Sequence, residues 1–220
     1  MMLNRSACCT RTVALLFIAG ILMASATIPV SAQADKPAGT DKRIDAVDAG
    51  RLPKAKQTTL GLYVTAAQAY EMWKAAPDKV RIIDVRTPEE FAFVGHPEMA
   101  WNIPVAFVSY QRKDGNFEYK AEPNKAFVDL VKEIAQPTDV LLVTCRSGGR
   151  SAMAVNQLAA AGFTTAYNIV DGVEGDLVED PKSVFHGKRM KNGWKNSAPW
   201  VYSIDPEKII LEEATPEKSK

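Results

Sequence analysis

The feature that most constrains the fold is a regular alternation of short apolar runs with amphipathic segments across residues 65–172. The clearest run, DVLLVT at residues 139–144, is continuously apolar and bounded by turn residues, which is typical of a strand buried on both faces. KVRIIDV at residues 79–85 and TTAYNIV at residues 164–170 have the same character. Strands that alternate with helices favour a parallel sheet covered on both faces, so the pattern predicts an α/β fold.

The segments between these runs carry helical periodicity and the residues that begin or end helices. The predicted helices are AAQAYEMWKAA after an N-cap at Thr65, PEEFAFV after Thr87, NKAFVDLVKEIA before Pro137, and SAMAVNQLAAAG ending at Gly162. A further short strand is expected at residues 101–105. The alternating segment FVSYQRKDGNFEYK, with Asp114 and Gly115 at its centre, indicates a hairpin or another extended excursion.

The first 34 residues have the layout of a secretory signal peptide. Arg5 and Arg11 supply a positive start, residues 13–24 are apolar, and an A-x-A pattern ends at Ala34. The apolar run is shorter than the roughly 20 residues that a membrane anchor needs. We therefore expect cleavage after Ala34 and a protein of the periplasm, or a secreted one, without a membrane span.

The rest of the chain is expected to form one domain between two peripheral segments. A flexible lead-in is predicted at 35–58, the domain at 59–205 and a tail at 206–220. Signal cleavage removes two arginines and no acid, which changes the net charge from +1 to −1. This balance gives no electrostatic reason to expect nucleic acid or anionic lipid as a partner.

Only one of the three cysteines belongs to the predicted mature protein, because Cys8 and Cys9 leave with the signal peptide. Cysteines in an oxidising compartment usually pair, and Cys145 has no internal partner. A leftover cysteine suggests a reactive thiol or an intermolecular bridge. The alternative is a buried, inert cysteine, which is common in proteins generally.

The surroundings of Cys145 favour the reactive thiol. It follows the most apolar strand directly and opens the loop CRSGGR, after which a helix begins. Gly148 and Gly149 allow successive N–H groups to point inward as an anion-binding nest, and the helix start adds the positive end of its dipole. Arg146 and Arg150 add formal charge. A thiol in such surroundings loses its proton readily, and the loop needs no histidine base to activate it.

Several motifs together resemble the rhodanese family of sulfurtransferases. CRSGGRSAMAVNQLAAAGFTTAYNIVDGV is similar to that family's active-site segment, IIDVRTPEEF and GHPEMAWNIP to its earlier signature, and NGWKNSAPW to its ending. The matches keep the family's order and cover roughly residues 60–202. The resemblance implies a rhodanese-like α/β fold, with a central, mostly parallel sheet of about five strands flanked by helices on both faces.

The resemblance also implies a mechanism and its residues. Cys145 takes the outer sulfur of an anionic donor such as thiosulfate as a persulfide and passes it to cyanide or a thiol. The remaining loop residues are implied to stabilise the thiolate and the persulfide; they are Arg146, Ser147, Gly148, Gly149, Arg150 and Ser151. Arg146 and Arg150 are also implied to bind the donor. No metal or cofactor is implied, and a periplasmic redox or sulfur-acceptor protein remains a possible partner.

Two other functions compete with sulfur transfer. Cys-dependent phosphatases share the fold, but their loop resembles C-x5-R, whereas Cys145 to Arg150 gives C-x4-R. A non-catalytic binding or sulfur-carrier module is the second alternative, although inactive members of the family typically lack the cysteine. The loop length and the cysteine favour sulfur transfer.

Residues outside the loop are assigned mainly structural roles. Asp84 and Arg86 are expected to form a structural salt bridge rather than to act in catalysis, since buried charges need partners. His96 is interpreted as a satisfied turn residue. Asp171, where relatives carry glycine, is interpreted as capping a turn; the alternatives are that it repels anionic donors or positions an arginine. The long segment at residues 174–193 is either a flap over the site or a surface excursion.

Overall fold

The computed structural model describes residues 47–212. The predicted signal peptide at 1–34, the first part of the lead-in and the last part of the tail lie outside the described residues. None of the helices within residues 47–212 has the length and apolar character that crossing a membrane requires.

A central five-stranded parallel sheet organises the described chain. In chain order the strands are β1 (Tyr63–Val64), β2 (Val80–Asp84), β3 (Trp101–Asn102), β4 (Ala106–Lys113), β5 (Asn116–Pro123), β6 (Val140–Thr144), β7 (Ala166–Ile169), β8 (Asp176–Leu177) and β9 (Arg189–Lys191). The helices are α1 (Ala66–Ala75), α2 (Pro88–Val94), α3 (Phe127–Ile134), α4 (Gly149–Ala160) and α5 (Trp194–Ser197). The central sheet runs β1-β7-β6-β2-β3, and every neighbouring pair in it is parallel.

Helices cover both faces of this sheet because its central strands are apolar on both sides. In β6, Leu141 and Val143 pack in one hydrophobic cluster with side chains of α3 and α4. Leu142, which points to the opposite face, packs in a second cluster with Phe91 of α2 and Trp194 of α5. The predicted α/β class with helices on both faces is confirmed.

Two helices begin with the reciprocal hydrogen bonds of a capping box. Thr65 and Gln68 exchange side-chain and backbone bonds at the start of α1, and Thr87 and Glu90 do the same at the start of α2. These caps fix where α1 and α2 leave the carboxyl edge of the sheet. In such sheets, ligands bind outside that edge.

The hairpin expected around Asp114 and Gly115 is also present. β4 and β5 pair antiparallel from Ala106 opposite Pro123 to Lys113 opposite Asn116. Asp114 and Gly115 both have positive φ, 51° and 81°, as the two central residues of a type I′ turn require. This long hairpin follows β3 and forms a two-stranded sheet that is separate from the central sheet.

Several local details differ from the sequence prediction. β1 was not predicted, because two residues are too short to show periodicity. α4 begins at Gly149, two residues before the predicted start at Ser151, so the last two loop residues lie in its first turn. β3 ends at Asn102 instead of residue 105. The segment at residues 174–193 contains the small β8–β9 hairpin, which was not predicted either.

The described part of the predicted flexible lead-in has fixed partners. Residues 47–58 contain two short 3₁₀ helices, Ala49–Arg51 and Lys54–Lys56. The Lys56 ammonium donates to the Val170 carbonyl at 2.8 Å, just after β7. Directly after the lead-in, the Thr59 amide donates to Asn156 of α4 at 2.8 Å. This segment therefore packs beside the elements that carry the cysteine loop.

Candidate active site

Cys145 lies at the carboxyl end of β6, directly before the loop that enters α4. It is a free thiol and is 2% exposed. Its Sγ accepts a hydrogen bond from the Gly148 amide at 3.2 Å and lies 3.4 Å from the Ser151 hydroxyl. The sulfur therefore faces donors from the helix start, where partial positive charge stabilises an anion.

The loop is held in shape by close backbone packing on its outer side. Gly148 has φ +96°, and a Cβ there would collide with the backbone of Val170. Gly172 has φ +62°, and a Cβ there would come within 2.6 Å of the Ser147 nitrogen and 2.7 Å of the Arg146 carbonyl carbon. Both positions therefore require glycine for conformation and for space.

A buried polar network extends from the sulfur to the lead-in. The Ser151 hydroxyl donates to Asn168 Oδ1 at 2.6 Å. The Asn168 amide nitrogen donates to the carbonyls of Lys56 at 2.9 Å and Gly148 at 3.1 Å, which fixes its orientation. Because a hydroxyl carries one proton, Ser151 can donate to Asn168 or to Cys145, but not fully to both.

Sequence reasoning missed Asn168 and Lys56 as parts of the site. Asn168 is fully buried in the otherwise apolar strand β7. A polar amide in such a run was a usable signal, because buried polar groups need partners. Lys56 offered no comparable signal, since it stands in a charged segment that was read as a lead-in.

Arg150 forms a bidentate ion pair with Glu90 of α2. Nη1 lies 2.6 Å from Oε2 and Nη2 lies 2.7 Å from Oε1. Hydrogen bonding to Glu90 raises the pKa of Arg150 against the opposing effect of burial. Burial alone would raise the pKa of Glu90, but the hydrogen bonds and charge of Arg150 hold that pKa below its usual value. The pair ties the first turn of α4 to α2, and donor binding by Arg150 stays a prediction.

The other loop residues occupy different environments. Arg146 is exposed, and Ser147 and Gly149 are partly exposed. Among the described residues no carboxylate forms an ion pair with Arg146, so its charge is directed to solvent at the mouth of the site. Sequence reasoning treated Arg146 and Arg150 alike, whereas the structure gives only Arg150 a protein partner.

Asp84 and Arg86 form a buried ion pair behind the loop. Both side chains are fully buried, with Nη2 2.6 Å from Oδ2 and Nε 3.0 Å from both carboxylate oxygens. Nη2 also donates to the Gly95 carbonyl at 2.8 Å. Burial opposes the charge on Arg86, but Asp84 outweighs it and the pKa of Arg86 is raised. The expected salt bridge is present and joins β2 to the turn after α2.

His96 has the environment of a satisfied turn residue. Its ring stacks on Phe91 with a centroid distance of 3.6 Å and an interplanar angle of 7°. Nδ1 lies 3.0 Å from the Pro97 carbonyl oxygen, and Nε2 lies 3.2 Å from that of Ser203. The histidine therefore connects α2 to the segment after α5, as the structural interpretation expected.

Asp171 is a capping residue that connects two distant backbone segments. Oδ1 accepts from the Ala66 amide and Oδ2 from the Gly193 amide, each at 2.8 Å. Burial raises the pKa of Asp171, and these two N–H groups oppose the rise. The alternative that it positions an arginine is wrong, because both oxygens face backbone amides and no arginine of residues 47–212 pairs with it. Repulsion of anionic donors stays a hypothesis.

The segment at residues 174–193 starts against the cysteine loop. The Glu174 amide donates to the Arg146 carbonyl at 3.0 Å, and Arg189 donates to the Gly175 carbonyl at 2.6 Å. The segment therefore leaves the sheet at the edge where Cys145 lies. Its role as a flap stays a hypothesis.

Residues 47–212 contain no group of three or more His, Cys, Asp or Glu side chains placed to hold a metal ion.

Comparisons with known proteins identify the family. The rhodanese-like domain model matches residues 65–177, just over half of the chain. The chain therefore belongs to the rhodanese-like family.

Among its relatives, an uncharacterized protein of Rickettsia conorii is 31% identical over 142 residues, which cover 63% of this chain and 96% of that protein. Thiosulfate sulfurtransferase 16, chloroplastic, of Arabidopsis thaliana is 39% identical over 92 residues, which cover 42% of this chain and 69% of that protein. The crystal structure of Rv0390 from M. tuberculosis is 29% identical and matches with a TM-score of 0.49, covering 64% of this chain and 96% of that one.

Proposed function

We propose that this protein is a sulfurtransferase that moves a sulfane sulfur from an anionic donor such as thiosulfate to a thiol or cyanide through a persulfide on Cys145. The observation that carries the proposal is the placement of Sγ. A buried free thiol faces the Gly148 amide at the first turn of α4, where a thiolate or a persulfide anion is stabilised.

The reaction has two balanced steps. In the first, the Cys145 thiolate attacks the outer sulfur of thiosulfate, the S–S bond of the donor breaks, and sulfite leaves with the bonding electron pair. In the second, cyanide or a thiolate attacks the outer sulfur of the persulfide. The bond to Sγ then breaks and returns the Cys145 thiolate, so the cycle needs no external oxidant or reductant.

The length of the loop and the ion pair of Arg150 favour sulfur transfer over phosphoryl transfer. The C-x4-R loop is one residue shorter than a phosphatase cradle, and both Nη atoms of Arg150 already bind Glu90. A phosphatase needs that planar fork for the oxygens of its substrate. The smaller nest over Cys145 suits a single sulfur anion. The sulfurtransferase name of the Arabidopsis relative supports the same choice.

We also propose that the mature protein works in the periplasm, or outside the cell, after cleavage at Ala34. The support is the n-region, apolar run and A-x-A pattern of residues 1–34. A partner that keeps Cys145 reduced, or that takes up its sulfur, belongs to this proposal because the compartment is oxidising.

Intact-protein mass spectrometry tests the proposal directly. The mature chain is reduced, freed of reductant and incubated with thiosulfate, with Cys145→Ser as the control. We expect a gain of one sulfur atom that cyanide reverses and that the variant lacks. No gain on a reduced Cys145 would refute thiosulfate sulfur transfer. Release of phosphate from aryl phosphates would then identify a phosphatase, and failure of both reactions would leave a binding module.

A further inference from the structure

The β4–β5 hairpin has one aromatic face. The antiparallel register places Tyr110 opposite Tyr119 and Arg112 opposite Phe117. Because side chains alternate along a strand, these residues share one face with Val108. The rings of Tyr110, Phe117 and Tyr119 lie 5.2 to 5.7 Å apart, so they form one contiguous aromatic cluster.

The opposite face of the hairpin is mostly polar. Ser109 donates to Glu122 at 3.0 Å, and Gln111 donates to Glu118 at 3.2 Å. The aromatic face is nevertheless open to solvent, with Tyr110 63% exposed, Phe117 55% and Tyr119 71%. A surface on which several large aromatic side chains are clustered and exposed is a candidate for binding.

This face forms one wall of a cleft beside the cysteine loop. The cleft has a volume of about 500 Å³ and is lined by Thr87, Glu89, Glu90, Val108, Tyr110, Tyr119 and Arg146. Arg146 follows Cys145 directly in the chain, so the cleft opens beside the mouth of the site. Clefts of roughly 300–1,000 Å³ are typical of sites for organic ligands, and this one is larger than thiosulfate or cyanide needs.

The charges that line the cleft restrict its ligand. Glu90 is neutralised by Arg150, whereas Arg146 is exposed and has no ion-pair partner among the described residues. A guanidinium binds a carboxylate with matching planar geometry. Glu89 is exposed on the helix side of the cleft and disfavours a second anionic group there. The tyrosine rings favour an aromatic or apolar body.

We propose that this cleft is the site for an organic thiol acceptor with an aromatic or apolar body and a carboxylate that pairs with Arg146. Tyr110 and Tyr119 are then specificity-determining residues. The inference rests on the proposed function and names the acceptor class for the same cysteine. The acceptor is a small free thiol, because a cleft of about 500 Å³ matches the size of a small organic ligand.

The transfer step balances without further reactants. The thiol loses its proton to solvent, and its thiolate attacks the outer sulfur of the Cys145 persulfide. A new S–S bond forms on the acceptor as the bond to Sγ breaks. The organic persulfide leaves the cleft, and the Cys145 thiolate remains.

Single-turnover discharge of the persulfide tests the inference. Protein loaded with thiosulfate is freed of donor and mixed with 4-mercaptophenylacetate, 3-mercaptopropionate, cyanide, or a peptide with a cysteine beside a phenylalanine and an aspartate. The variants are Tyr119→Ala, Tyr110→Ala and Arg146→Gln. Phe107→Ala is the matched control, because Phe107 is 40% exposed on the opposite face of the hairpin.

We expect each tyrosine variant to slow discharge by 4-mercaptophenylacetate about 5- to 10-fold, the scale of one aromatic contact. Discharge by 3-mercaptopropionate and cyanide should be unchanged, as should persulfide formation. Arg146→Gln should slow discharge by both carboxylate thiols more than discharge by cyanide, because cyanide has no carboxylate to pair with Arg146. Comparing the same acceptor across variants removes differences in intrinsic thiol reactivity. Discharge by the peptide that is faster than by 4-mercaptophenylacetate, and that the tyrosine variants slow equally, would assign the cleft to a protein cysteine and overturn the choice of a small thiol.

Equal acceptor preference in the tyrosine variants and in Phe107→Ala would overturn the inference while leaving the persulfide chemistry intact. If no persulfide forms, calorimetric titration with the unreactive 4-(methylthio)phenylacetate tests the cleft by itself. Absence of binding to the unmodified chain would overturn the inference. A dimer that Tyr119→Ala converts to a monomer, without ligand binding, would assign the aromatic face to self-association and also overturn it.

Discussion

Replacing Gly172 by alanine should distort the cysteine loop, and comparison with Gly162→Ala should distinguish this effect from a general loss of stability. Gly172 and Gly162 both have positive φ, +62° and +95°, so alanine is strained at either position. At Gly162 a Cβ meets nothing within 4 Å, whereas at Gly172 it comes within 2.6 Å of the Ser147 nitrogen. The two substitutions therefore share the strain and differ in the collision.

The expected magnitudes follow from this difference. A left-handed conformation costs an alanine about 1–2 kcal/mol, which is the whole effect expected for Gly162→Ala. Crowding against backbone that cannot rotate away adds about 1–3 kcal/mol for Gly172→Ala. For a domain of this size, 1 kcal/mol corresponds to roughly 2–4 °C in the midpoint of thermal unfolding. Gly172→Ala should therefore melt several degrees below Gly162→Ala.

Urea unfolding and the rate of persulfide formation with thiosulfate measure the two effects. Gly162→Ala should retain the rate of the unmodified protein, because Gly162 lies at the far end of α4. Gly172→Ala should lose most of that rate at a temperature where it is still folded, since the displaced backbone belongs to the loop whose Gly148 amide donates to Sγ. If both variants show the same stability and the same rate, the loop does not depend on its packing against Gly172, and the reasoning is refuted.

Three further outcomes follow from the buried polar groups. Asp84→Ala should lower the free energy of unfolding by about 3–5 kcal/mol in urea titrations, because it leaves the buried Arg86 charge without a partner; a loss below about 1 kcal/mol would contradict this. Glu90→Gln should show its largest loss of stability at neutral pH. The pKa of Glu90 is held below its usual 4.5, so its contribution is present above that pH and is lost as the pH falls through the lower folded value. Unfolding curves of both proteins at pH 7 and pH 3 measure this. A difference in the free energy of unfolding that is larger at pH 3 than at pH 7 would contradict the assigned direction of the Glu90 pKa. Asn168→Ala should cost about 1–3 kcal/mol and slow persulfide formation, because it leaves buried groups around the loop unpaired; a rate equal to that of the unmodified protein would remove Asn168 from the site.

Local sequence patterns predicted those parts of the fold that depend on neighbouring residues. Short apolar runs identified β2, β6 and β7, threonine caps identified the starts of α1 and α2, and Asp114-Gly115 identified a hairpin turn. Each of these signals lies within a few residues of the structure that it specifies. The glycine loop with its cysteine was predicted for the same reason.

The polar contacts that shape the site were harder to predict because they join residues far apart in the chain. Arg150 and Glu90 are 60 positions apart, and Asn168 and Lys56 are 112 positions apart. No local periodicity encodes such pairs. The two arginines of the loop look equivalent in sequence, and only the folded arrangement of α2 gives a carboxylate to one of them. The role of Asp171 likewise became clear only from the fold, which brings the Ala66 and Gly193 amides to its carboxylate.

The contact between Lys56 and Asn168 has a consequence for where this protein can be divided. The match to the rhodanese-like domain model begins at residue 65, after both Lys56 and the edge strand β1. A fragment trimmed to that boundary deprives the buried Asn168 amide of one of its two acceptors and exposes one edge of β7. The segment that the family model matches is therefore smaller than the part of the chain that completes the edge of the sheet and the Asn168 contacts. Fusions, truncations and domain grafts of this chain should keep the residues from the second 3₁₀ helix onward.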